Sequence, residues 1–185
     1  TGAGLGKIRH RGYLRGDNSS PPVLNFPARM FEWQSGWIFA SVINNGVITL
    51  VGDAPKSLRS DLPWTNNGEF IVEGEGTFQY YVTTQFVNNG LFDIRSNANI
   101  EMIGVRCTTC TPTLFNYGVL RKSDGVETTF VHDPNNYGTL RLDNQGTVEV
   151  QIGAIHWMES VNQITGSTLT GGDWRIDNLG ELHFS

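Results

Sequence analysis

Cys107 and Cys110 are the only cysteines in this 185-residue chain, and their Cys-x-x-Cys spacing admits three chemistries. A bridge requires Cα atoms about 4.4–6.8 Å apart, which a turn at Thr108-Thr109 would supply. A structural zinc site needs four ligands, and there is no second cysteine pair. Disulfide is therefore the favoured reading, ahead of free thiols and of metal or redox chemistry, and it points to an oxidising, extracellular setting. His10, His132, His156 and His183 share no metal-ligand spacing, so neither a metal nor another cofactor is expected. Gly2-Ala3-Gly4-Leu5-Gly6-Lys7 lacks the Gly-Lys-Ser/Thr ending of a phosphate loop, and no helical pattern follows it. Glu69 with Glu73 and Glu73 with Glu75 are the only paired acids that could do acid–base work, and alternation turns them outward as solvated strand positions.

Two further groups could bind rather than react. Trp33 and Trp37 are candidate sugar-stacking residues, although burial in a core is the stronger expectation for both. Arg15-Gly16-Asp17 matches a cell-attachment tripeptide and Asn18-Ser19-Ser20 a glycosylation acceptor; both are short enough to arise by chance. Thirteen Lys and Arg against eighteen Asp and Glu give a net charge of −5 without a basic block, so nucleic acid is not an expected partner. No apolar run approaches the roughly 18–20 residues of a membrane span, so membrane insertion is not expected. With 22 glycines and few helix formers, the composition indicates a soluble, folded, all-β chain.

The elements that position these groups follow from a repeat. Asn-x-Gly recurs at Asn44–Gly46, Asn66–Gly68, Asn88–Gly90, Asn116–Gly118, Asn136–Gly138, Asn144–Gly146 and Asn178–Gly180, with glycine spacings of 22, 22, 28, 20, 8 and 34 residues. The second and fourth residues beyond each glycine are Ile48 and Leu50, Phe70 and Val72, Phe92 and Ile94, Leu120 and Lys122, Leu140 and Leu142, Val148 and Val150, Leu182 and Phe184. All but Lys122 are apolar and polar residues alternate with them, which is the period-2 signature of a half-buried strand. Each glycine is expected to provide a positive φ at a corner, and the asparagines at successive corners to bond to one another as a ladder. The copies at Gly138 and Gly146 are close enough to form a hairpin or two corners of one coil. Spacings near 22 suit a solenoid better than a β-sandwich, whose turns should recur every 8–12 residues.

Phe31–Gly36, Ile43–Ile48, Phe115–Ser123 and Leu169–Ile176 resemble units of repeat-rich secreted β-solenoid surface proteins of the adhesin and autotransporter type. The resemblance implies a parallel β-helix, right-handed and exported, that acts as a stalk, fibre or adhesive surface. The Asn-Thr-Asp, Asp-Asp, Gly-His-Gly and Arg-Ile-Lys motifs of pectin-cleaving relatives are absent.

These readings converge on an all-β parallel β-helix of roughly seven coils. Residues 1–30 form a cap or irregular lead-in, and residues 31–185 form the repeat domain. The expected role is a non-catalytic structural or adhesive segment of an extracellular or cell-surface fibre. Its expected partners are a second copy stacked head to tail, flanking repeats of a longer chain, or glycans. A glycan-binding or polysaccharide-degrading β-helix is the alternative. The opening at Thr1 and the strand-like ending Gly180–Ser185 suggest a segment excised from a longer polypeptide.

Overall fold

The computed structural model describes residues 6–16, 20–107, 109–135 and 137–185, and contains no helix among them. Gly2 to Leu5 of the glycine-rich segment, Asp17 of the attachment tripeptide, Asn18 and Ser19 of the acceptor, Thr108 and Asn136 lie outside the described residues.

The chain winds as a three-faced β-solenoid of about seven coils. The first face is built from Ile8–His10, Phe31–Trp33, Val47–Leu50, Glu69–Val72, Leu91–Arg95 and Val119–Asp124. The second is built from Tyr13–Arg15, Gly36–Phe39, Lys56–Arg59, Phe78–Tyr81, Ile100–Ile103 and Thr128–His132. Two long strands, Thr147–Trp157 and Asp173–Phe184, run through both faces and join them into one sheet. The third face is a seven-stranded sheet from Val23–Leu24 to Ser160–Val161. Every pairing between coils is parallel; the one antiparallel pair among the described residues is a hairpin of Ile164–Thr165 with Thr168–Leu169. The lead-in expected over residues 1–30 contributes strands of its own, since Ile8, Tyr13 and Val23 pair with Phe31, Trp37 and Ile43.

Parallel stacking in register places like position on like. On the first face Phe31, Ile48, Phe70, Phe92, Leu120, Val148 and Trp174 form one inward column, and Trp33, Leu50, Val72, Ile94, Lys122, Val150 and Ile176 form another. Ile48, Leu50, Phe70, Val72, Phe92, Ile94, Leu120, Leu140, Leu142, Val148 and Val150 are all buried. Phe70 stands at the centre of the core, with the rings of Trp64, Phe78, Phe86 and Phe92 centred 5.1–5.4 Å away. At these distances tilted and edge-to-face aromatic pairs add to simple area burial.

Corner glycines Gly46, Gly68, Gly90, Gly118 and Gly146 mark successive third-to-first corners, and the asparagines before them are 22, 22, 28 and 28 residues apart. The six extra residues of the first long coil leave at the second-to-third corner as loop 104–112; in the next coil, where Ile100 pairs with Val131, three leave at the first-to-second corner and three in loop 133–140. These loops stack, with Cys107 N–H donating to the Tyr137 carbonyl at 2.7 Å.

Candidate functional site

The third-to-first corner carries the most regular chemistry in the molecule. Asn44, Asn66, Asn88, Asn116 and Asn144 are fully buried, and each of the first four donates Nδ2–H to Oδ1 of the asparagine one coil on, at 2.7–2.8 Å. Each also donates to a backbone carbonyl at the start of the next coil, as Asn44 does to Glu69 at 3.0 Å. The stack thereby satisfies amides that a thin apolar core would otherwise leave unpaired. Outside it a second, exposed ladder runs the opposite way, from Asn89 to Asn67 and from Asn67 to Asn45, both at 2.8 Å.

Two of the expected corners lie elsewhere. Gly138 stands in loop 133–140, and the following Leu140 and Leu142 lead into the third-face strand Arg141–Asn144, so the rung of that coil is Asn144. Asn178 and Gly180 lie inside Asp173–Phe184, where Gly180 pairs with Gly153 at the first-to-second bend rather than at the third-to-first corner. The corner of that last turn is Gly172, reached after the inserted hairpin. The corner glycines also serve a different purpose from the expected one: none of Gly46, Gly68, Gly90, Gly118 and Gly146 has a positive φ. A Cβ on Gly90 would fall under 3.0 Å from the Gly68 carbonyl, so close approach of stacked backbones demands glycine there.

Cys107 and Cys110 form a disulfide with Cα atoms 5.3 Å apart, inside the stacked loops. The paired acids have separate partners: Glu73 meets Arg95 at 3.4 Å, Glu75 accepts from the Asn97 N–H at 3.1 Å, and Glu69 is exposed. The histidines are dispersed. His10 bonds to the Trp37 carbonyl at 3.1 Å, and burial lowers its pKa. His132 lies 3.7 Å from Glu101, His156 contacts Ser185, and His183 contacts Glu181. Among the described residues no cluster of three or more His, Cys, Asp or Glu side chains is placed to hold a metal ion.

The sequence did not reveal three buried charges. Asp93 points outward from the first face, yet it is covered completely by Arg121 at 2.7 Å and Arg95 at 2.8 Å, and it accepts from the Ser123 hydroxyl at 2.7 Å. Burial alone would raise its pKa, but the hydrogen bonds from Arg121, Ser123 and Arg95 outweigh that and hold it below the usual carboxylate range. Lys56 and Lys122 sit in inward columns with no exposed surface, and their stems reach the first-to-second corner. Lys56 Nζ donates to the Gly52 carbonyl at 2.5 Å, and Lys122 Nζ to the Ser96 carbonyl at 2.6 Å. Desolvation lowers both to about 8, against partial compensation from Asp53 at Lys56 and from Glu75, Asp124 and Glu127 at Lys122.

The corner between Phe31–Trp33 and Gly36–Phe39, where Gly36 takes a φ of 84°, resets the alternation and separates the two tryptophans considered as ligand contacts. Trp33 is completely buried, donates to the Ser35 carbonyl at 3.1 Å and packs edge-on to Phe78, so it belongs to the core and not to a ligand surface. Trp37 faces outward and is half-buried, stacked on Phe39 at 5.1 Å with Tyr13 on the other coil 5.8 Å from Phe39. Arg15 lies over Phe39 and Tyr13 at 5.5 and 5.9 Å, and Arg59 over Tyr81 at 4.3 Å. The outward second face therefore carries one aromatic and guanidinium surface over four consecutive coils. No family model, curated protein or solved structure matches this chain.

Proposed function

We propose that this chain is a non-catalytic structural and adhesive segment of an extracellular or cell-surface fibre or stalk. The observation that carries the reading is the unbroken buried asparagine ladder from Asn44 to Asn144, flanked by columns in continuous register. Such a ladder ties each coil to the next without consuming surface, so the rod resists bending while its outer faces stay free for contact. The Cys107–Cys110 disulfide favours an oxidising compartment outside the cytosol.

Growth of the stack supplies the fibre. Asp173–Phe184 pairs only with Thr147–Trp157 among the described residues, and half-buried Trp174 and exposed Ile176 continue the two inward columns on its far side. A further coil, from a flanking repeat or a second copy, would cover them. The test is antibody labelling of intact, unpermeabilised source cells, with protease treatment of the cell exterior as a companion. Labelling that protease abolishes supports the role; antigen reached only after permeabilisation overturns it.

A further inference from the structure

We infer that the outward second face binds an acidic polysaccharide, with Arg15 and Arg59 as the anion-holding groups and the Tyr13–Phe39–Trp37 rings as the stacking surface. The inference rests on the adhesive part of the role proposed above and supplies its ligand.

The arginines divide by what they lie against. Arg9, Arg95, Arg121 and Arg175 lie against the carboxylates of Glu32, Glu73, Asp93 and Asp173. Arg15 and Arg59 instead lie over rings: Phe39 and Tyr13 for the first, Tyr81 for the second. A guanidinium held over a ring keeps its planar fork of N–H donors and loses less freedom when a carboxylate or sulfate docks. Register then sets the spacing. Arg15 pairs with Phe39 and Phe39 with Arg59, and Tyr80 pairs with Leu58, which brings Tyr81 beside Arg59. Cation and ring thus alternate coil by coil, and the two guanidiniums recur every second coil, about 9–10 Å apart at the strand spacing of a sheet. That interval suits an extended glycan that presents at least one charge per disaccharide.

The neighbouring column supplies sugar-facing chemistry. Tyr13 is 67% exposed, which leaves ring surface for the apolar face of a pyranose, and Trp37 pairs with it in register. Ser57 and Gln79 follow in the same column; Ser57 is buried and donates to Gln79 Oε1 at 2.7 Å, and half-buried Gln79 offers its amide to sugar hydroxyls. The nearest carboxylate further along that column, Glu101, lies opposite His132. The overall charge of −5 disfavours polyanions in general, so a polyanion that binds must do so through a local surface.

The test is calorimetric titration of the purified chain with polygalacturonate and chondroitin sulfate, with uncharged dextran and single-stranded DNA of matched charge in parallel. Saturable binding to at least one acidic glycan, with neither dextran nor DNA bound comparably, is expected. R15A/R59A should weaken it by about 10-fold or more, and R59K by about 3-fold because charge survives without the fork. R175Q, on the first face, should change it less than about 2-fold. Absence of acidic-glycan binding, equal affinity for DNA, or an equal loss from R175Q would overturn the inference. Failure here with intact-cell labelling preserved removes the ligand and leaves the stalk; loss of labelling with binding preserved does the reverse.

Discussion

Two corners of this solenoid solve the same problem differently. At the third-to-first corner one solution repeats: Asn44, Asn66, Asn88, Asn116 and Asn144 bond to one another, and a glycine two residues on admits the backbone of the preceding coil. At the first-to-second corner each coil improvises. Lys56 reaches the Gly52 carbonyl, Lys122 the Ser96 carbonyl, Asn97 Oδ1 accepts from Glu127 N–H, and the seventh coil bends its strand at Gly153. A corner satisfied by its own copies forces sequence periodicity, whereas one satisfied by reaching side chains does not. The regular corner should therefore be intolerant of change and the irregular one tunable by pH.

The sharpest break is G90A. The added methyl would collide with the Gly68 carbonyl and the Asn67 backbone, neither of which is a flexible side-chain end. Overpacking against backbone costs about 3 kcal/mol or more, enough to cut the urea midpoint deeply or to prevent folding. N88L comes next. It leaves Asn116 Oδ1 and the Val119 carbonyl without the Asn88 donor and removes the acceptor for Asn66 Nδ2. A loss of about 2–4 kcal/mol in chemical denaturation is expected. An N88L chain as stable as the parent would show that the columns, not the ladder, hold the coils together.

What the sequence reveals follows the same division. Five stacked corners are legible because an asparagine that bonds to its own copy must recur at the coil length. The corner at Gly172 is illegible, because the inserted hairpin lets the chain return without an asparagine rung. Asn178–Gly180 has the right letters for another reason: Gly180 lies against the Val150 carbonyl inside a strand. Lys122 looks like a flaw in an apolar column, since its hydrogen-bond partners are 26 residues back and 7 ahead. Trp33 and Trp37, four residues apart, have the same parity, so alternation alone does not show that the corner at Gly36 turns one inward and the other outward. Arg59 and Tyr81 become neighbours only once the stacking register is known.

The buried lysines make the irregular corner the pH-sensitive one. Lys56 and Lys122 bind protons less tightly folded, near 8, than their ordinary 10.5. The unfolded chain therefore holds more protons between those values, and stability rises with pH across that window. Below about 8 both states are protonated and the burial penalty is constant. Tyr80 limits the upper end: burial raises its pKa well above 10.0, so stability falls once the unfolded tyrosine ionises. Thermal melts from pH 7 to pH 9.5 should show a rising Tm, with a slope of at most about 2.7 kcal/mol per pH unit for two protons. K56M/K122M should flatten it; an unchanged slope in that variant would assign the effect to other groups.

The smallest expected effect separates burial from bonding at the regular corner itself. Asn67 donates to Asn45 and accepts from Asn89, at the same 2.8 Å as the inner ladder, but its side chain is exposed. Water can replace both bonds, so N67A should cost no more than about 0.5 kcal/mol. Measured beside N88L in the same denaturation series, it holds hydrogen-bond length fixed and varies desolvation. A cost for N67A close to that of N88L would mean that the amide stack is cooperative wherever it runs, and the contrast between corners would then rest on periodicity alone, not on what the core excludes.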